Sequence, residues 1–187
     1  MTREALDSPL LDLLGVRYVL TSEQIELPKY ALAWQGDALR VYENLGAVSR
    51  AFTLPQTATA VVDDPLAAML RLDPRHHVLV AQDAAANLQS RAKPISNHEP
   101  GQSPAPATLR PASIAAYGNI EVTVEATVSE PSWLVLNDSY FPGWKAFVQP
   151  QGEDAEEELA VYRVNGNFRG VLLEPGAWTV RFRYSPL

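Results

Sequence analysis

Cysteine is absent from the 187-residue sequence. Disulfides, thiolate metal sites and cysteine nucleophiles are therefore excluded, although the compartment is not fixed by this. Histidine is scarce. The three histidines are His76, His77 and His98. The first two are adjacent at the start of a predicted strand, so their side chains would point to opposite faces, which is poor geometry for a shared metal. No apolar run reaches the roughly 18 residues that a membrane-spanning helix needs. The opening residues, MTREALDSPLLDLLGV, are polar and acidic and lack the apolar core of a signal peptide. A domain of this kind outside the cytoplasm would have to be delivered by a segment beyond this chain. Basic charge is also in deficit, with 15 Lys and Arg against 22 Asp and Glu and a net charge of −7. Five of the acidic groups fall within residues 153–158, so the acidity is local. Scattered arginines on an acidic chain do not make the basic stripe that displaces counterions from nucleic acid, and no nucleic-acid partner is expected.

What is present is ordinary globular composition, 47% hydrophobic and 20% charged. Ser8 or Asp7 can cap a short helix that starts at Pro9 and stops at Gly15. Residues 16–20 read as a strand, and 30–34 with 39–43 as a hairpin across Gln35-Gly36-Asp37-Ala38. Further strands are expected at 51–54, 57–62 and 77–81. A helix capped by Asp63 or Asp64 should run from Pro65 to about Leu72, with Leu66, Met69 and Leu70 inward. Residues 90–112 hold Pro94, Pro100, Pro104, Pro106 and Pro111 among Ser, Asn, Gln and Gly, the composition of a linker. Residues 119–128 then alternate apolar and polar, the pattern of a sheet with one wet face. Residues 133–136 are apolar on both faces and should be a central strand. Strands expected at 159–164 and 168–173 flank the turn at Asn165-Gly166, and Glu174-Pro175-Gly176 marks the next turn. The expected fold is mainly β. An α+β subdomain covers 1–89, a Pro-rich linker 90–112, and a C-terminal β-sandwich or jelly roll of about seven strands 113–187.

No nucleophile elbow or Ser–His–Asp spacing occurs. Asp63-Asp64 reads as a helix cap, and the acidic run at 153–158 as a solvated hairpin tip that lacks calcium-loop spacing. No catalytic residue, cofactor site or metal site is read from the sequence. The stretch WLVLNDSYFPGWKAF (133–147) concentrates polar and aromatic residues at a Pro-Gly corner. Trp133, Tyr140, Trp144, Tyr162 and Trp178 could offer rings for sugar stacking on a sandwich face, although Trp133 and Trp178 fit a core pattern. Asp138, Tyr140, Trp144 and Arg169 are the candidates for a glycan-binding site, because aromatic faces stack on sugar rings while charged groups take the hydroxyls. The competing account makes Asn137, Asp138 and Ser139 a turn that bonds its own backbone.

Several segments together resemble the C-terminal region of the bacterial YfhO-like polytopic membrane proteins, a family related to GT-C-type glycosyltransferases that use lipid-linked sugars. The matching stretches are LLDLLGVRYVL (10–20), VYENLGAVSRAF (41–52), LDPRHHVLV (72–80), LVLNDSYFPGWKAFV (134–148), YRVNGNFRGVLLEPG (162–176) and VRFRYSPL (180–187). Two features depart from the family pattern. PQGEDAEEE stands where a short Asp-Gly hairpin is usual, and Val48-Ser49-Arg50 where Leu-Pro-Arg is usual. The resemblance implies one piece of a larger protein, with transmembrane helices before Met1 and one more after Leu187, lying on the extracytoplasmic side of the bacterial membrane. It also implies a non-catalytic role, since the family's catalytic acids lie in an early membrane-proximal loop not contained here. The implied partners are the remainder of the parent membrane protein and a glycan or lipid-linked sugar. Two alternatives are a carbohydrate-binding module and a purely structural interaction domain. The latter would carry an apolar patch on its N-terminal half.

Overall fold

A strand that is apolar at every position needs cover on both faces and partners on both edges. In the structure, a computed structural model that describes residues 2–89 and 107–186, residues 132–136 are all buried and paired on both sides. The chain divides into two compact units, residues 1–50 and 51–187.

In the first unit, Thr2 and Ser8 cap two short helices, α1 (Arg3–Asp7) and α2 (Pro9–Leu13). The Leu10 N–H donates to Ser8 Oγ at 3.2 Å, and Pro9 occupies the first turn, where its missing N–H costs nothing. Strands β1 (Tyr18–Thr21), β2 (Tyr30–Gln35) and β3 (Arg40–Asn44) form an antiparallel sheet in the order β1-β3-β2. Its inner face packs Val19, Tyr30 and Tyr42 against Leu6 and Leu27. The Asp12 carboxylate is 1% exposed and is held by Lys29 Nζ at 2.9 Å and Asn44 Nδ2 at 2.8 Å. A buried charge is tolerated only when it is paired and hydrogen-bonded in this way. On the other face, Leu20 and Trp34 both register with Val41, and with Tyr18 they leave an exposed apolar surface.

The second unit begins with β4 (Ala51–Pro55), a 3₁₀ turn (Gln56–Ala58), β5 (Thr59–Val62), α3 (Pro65–Ala68), β6 (Val78–Ala81) and α4 (Gln82–Gln89). The end of the proline-rich stretch forms β7 (Arg110–Pro111), and after it come β8 (Ser113–Tyr117), β9 (Glu121–Val128), β10 (Ser132–Ser139), β11 (Trp144–Pro150), β12 (Glu157–Leu159), β13 (Tyr162–Val164), β14 (Phe168–Leu173) and β15 (Gly176–Tyr184). One sheet runs β5-β6-β13-β14-β10-β4-β7 and the other β12-β11-β15-β9-β8. They face each other as a β-sandwich. Leu134, Leu136, Val171 and Leu173 of the first sheet meet Val122, Val124, Val180 and Phe182 of the second. At about 0.8 kcal/mol per buried methylene, this core is the main stabilising element of the unit.

The β9 alternation is as expected, with Val122, Val124, Ala126 and Val128 buried, although the strand starts at Glu121 and leaves Ile120 outside. Three other features differ from expectation. The single strand expected at 159–164 is two strands, because the chain crosses from β12 in one sheet to β13 in the other. The proline-rich stretch, of which residues 90–106 lie outside the described residues, falls within the second unit. The strands β4, β5 and β6 before it share a sheet with β10, β13 and β14 after it. The helix capped by Asp64 stops at Ala68, and of the three residues expected inward only Met69 is buried while Leu66 and Leu70 are exposed. The helix stops because the chain tightens after one turn, with the Leu70 N–H donating to Ala67 O and the Arg71 N–H to Ala68 O, each three residues back.

Candidate functional site

The corner read from the sequence is built by a bulge and a glycine. In the β10–β14 ladder Leu136 registers with Arg169 and Ser139 with Phe168, so Asn137 and Asp138 are extra residues on one strand. Bulges of this kind re-aim side chains at a sheet's end. Here Asp138 meets Arg169, with Nη2 donating to Oδ2 at 2.9 Å. The turn that follows needs Gly143. Its φ is +102°, and a Cβ there would lie 3.2 Å from the Pro186 Cα. That contact is with backbone and cannot give easily.

Arg169 is almost fully buried, with 4% of its side chain exposed. Its guanidinium carbon lies 3.7 Å from the Trp144 ring centroid and 5.7 Å from that of Phe182. Trp144 registers with Tyr184 across β11–β15, their rings 5.3 Å apart. The Tyr117 hydroxyl donates toward both Asp138 oxygens, at 3.1 and 3.0 Å. Burial pushes the Arg169 pKa below its ordinary value, and the Asp138 charge works against that push. The guanidinium and the indole face therefore engage each other. A sugar ring stacking on that face of Trp144 would have to displace a desolvated cation–π pair worth about 2 kcal/mol. Three of the four candidate residues, Asp138, Trp144 and Arg169, thus come together as an inter-sheet lock at one end of the sandwich.

Tyr140 stands apart from them. Its N–H donates to Asn167 O at 2.8 Å, and the half-buried residue lines a separate hollow of about 620 Å³. The other linings are Ala81, Asp83, Ala84, Tyr162, Arg163 and the 160–161 crossover. Tyr162 is positioned by an edge-on contact with Trp133, 5.7 Å between centroids. Sequence reasoning offered Tyr162 among the rings that could stack on a sugar, and missed Tyr117 and Arg163. The only available signal was that Tyr117 ends a strand and that 162–164 precedes an Asn-Gly turn. Neither feature reveals the partner strand.

The remaining sequence candidates have structural placements. Trp133 is fully buried and donates its indole N–H to Thr59 Oγ1 at 2.8 Å. His76 Nδ1 lies 2.7 Å from Ala107 O, and His77 Nδ1 lies 3.0 Å from Asp73 O, while His98 falls outside the described residues. The acidic run is partly strand. Glu156 accepts from Arg181 at 2.6 and 3.0 Å, and Glu158 pairs with Lys145 at 3.3 Å. The hydrogen bond from Arg181 holds the Glu156 carboxyl below its ordinary value. Among the described residues no group of three or more His, Asp or Glu is placed to hold a metal ion. Among those residues no helix is long and apolar enough to cross a membrane.

No protein-family model and no curated protein sequence matches the chain. Over 44% of its length the chain is similar to a solved structure of arabinofuranosyltransferase AftD from Mycobacteria, at 29% identity and a TM-score of 0.36. A mutant form of the same enzyme matches over 45% of the chain, at 30% identity and a TM-score of 0.36. The chain spans about 6% of the length of these solved chains.

Proposed function

We propose that the chain is a non-catalytic, extracytoplasmic portion of a multi-pass membrane protein related to the lipid-linked-sugar glycosyltransferases, and that it recognises glycan through the hollow beside β13. The family resemblance of the sequence supports the first half. The observation that carries the second is the lining of the hollow, with Tyr140, Tyr162, Asp83 and Arg163 around about 620 Å³. That volume is in the range of small-ligand sites, about 300–1,000 Å³. Phenol rings offer faces to the C–H side of a sugar, and an Asp with an Arg can take hydroxyls as acceptor and donor. A glycan array followed by NMR titration tests this. Binding should shift the amides of Tyr140, Tyr162 and Arg163, and Arg163→Ala should weaken it about tenfold. No binding, or shifts confined to other strands, refutes the recognition half. Glycosyl transfer by this chain alone refutes the non-catalytic half.

A second reading, a structural interaction domain, is favoured by the exposed apolar face formed by Tyr18, Leu20 and Trp34 in the first unit. Its occupant would be another segment of the parent membrane protein. A photocrosslinking residue placed at Trp34 in the parent should then join to that protein's own chain, and a crosslink-free result counts against it.

A further inference from the structure

The end of the sandwich that holds the Asp138–Arg169 pair also gathers three segments without a single charge, Tyr-Gly-Asn-Ile (117–120), Tyr-Phe-Pro-Gly (140–143) and Tyr-Ser-Pro (184–186). They are tied together there. The Tyr184 N–H donates to Ile120 O, and the Ser185 N–H to Gly143 O, both at 2.8 Å. Three large side chains project from these tips, Tyr117 at 55%, Ile120 at 64% and Phe141 at 58% exposure. One residue behind them, Lys145 and Arg183 stand opposite each other on the β11–β15 ladder, and both are exposed. The neighbouring acids are engaged, Glu158 with Lys145, Glu121 and Glu156 together with Arg181, and Asp138 with Arg169.

We propose that this end of the sandwich seats on a lipid bilayer, with Ile120, Phe141 and Tyr117 entering the interfacial zone and Arg183 reaching headgroup phosphates. Aromatic rings favour that zone, and long basic side chains can extend back to it from one step away. The size of the patch decides against a protein partner. Three side chains of this type, little more than half exposed, offer roughly 300–400 Å², against the ~800 Å² per partner of a stable protein interface. A bilayer needs no complementary shape, so separate protruding tips suffice. A glycan is the poorer fit, because Ile120 provides neither a stacking ring nor a hydrogen bond. The hollow beside β13 plays no part here, so this proposal and the glycan reading fail independently.

Flotation of the 187-residue chain with phosphatidylcholine vesicles, with and without phosphatidylglycerol, is the test. The chain should float with both, and more with phosphatidylglycerol. Phe141→Asp and Ile120→Asp should each lower the bound fraction about tenfold or more. Leu70→Asp, at an exposed leucine elsewhere in the same unit, should not. Unchanged thermal melts establish that the variants are folded. Phe141→Trp should keep binding and blue-shift its emission when vesicles are added. Absence of flotation with both vesicle types overturns the proposal. So does binding that survives both tip substitutions, or a loss in Leu70→Asp equal to that in Phe141→Asp.

Discussion

Arg169 shows how much one residue's surroundings decide what it can do. Its charge is buried, paired through one nitrogen to Asp138 and stacked on Trp144. Removing one partner of a buried pair strands the other, whereas removing both need not. Asp138→Leu or Arg169→Met alone should cost about 3–5 kcal/mol in urea unfolding, and the two together far less than their sum. Strict additivity would show that the two groups do not interact. Arg169→Lys keeps the charge but loses the planar stack, and should fall between these and the native chain. A second residue makes a pH statement. Burial pushes the Asp73 carboxyl up, but hydrogen bonds from the Arg75 side chain and N–H outweigh it, leaving Asp73 below its ordinary value. A depressed carboxyl adds stability that is fully present above its unfolded value and is lost as pH falls through the folded one. The Tm difference between the native chain and Asp73→Asn should therefore hold steady from neutrality to about pH 5 and close at lower pH. A gap that widens on acidification contradicts this.

At the scale of elements, the Asn165-Gly166 turn does more than reverse the chain. Asn165 has φ +45° and is 1% exposed. Its N–H donates to Leu79 O at 2.9 Å, and its Oδ1 accepts from the Leu79 N–H at 2.8 Å. The side chain thus adds a rung between the β13–β14 hairpin and β6, beyond the single registered pair Val164–Val80. Asn165→Ala leaves the Leu79 N–H buried without its acceptor and should cost about 1–3 kcal/mol, with faster hydrogen exchange at Leu79. An unchanged exchange rate there would refute the rung. The turn itself is legible in sequence, because Asn-Gly demands positive φ. The rung is not, because its partner lies 86 residues away. The same division holds elsewhere. The alternation that makes β9 is local and can be read directly, as can the continuous apolar run that makes β10 central. The bulge at Asn137–Asp138 cannot, since Asn-Asp-Ser reads equally well as a turn, and the pairing with Arg169 depends on the register of another strand. The sequence places Tyr140 with Trp144 by proximity in the chain. The fold separates them, because the Pro142-Gly143 corner lies between the two sheets. The acidic run read as a loop tip supplies counter-charges to Lys145 and Arg181, each such surface pair being worth under about 1 kcal/mol.

At the scale of the whole second unit, chain order and sheet order are interleaved. The strand β10 lies between β4 and β14, and β6 lies between β5 and β13. Segments on either side of residues 90–106 therefore hydrogen-bond to each other across three seams, β10–β4, β4–β7 and β6–β13, reinforced by Asn165 and by the contact of His76 with Ala107. Chain continuity lowers the entropy cost of bringing these seams together, while the bonds themselves run between the paired strands. A protease site engineered into that stretch should yield two fragments that travel as one particle in gel filtration and part only in denaturant. Fragments that separate in native buffer would contradict it. This makes the second unit a natural candidate for fragment complementation, in which two halves expressed separately rebuild one sandwich. The number of peptide bonds in the domain could then be changed without changing its fold.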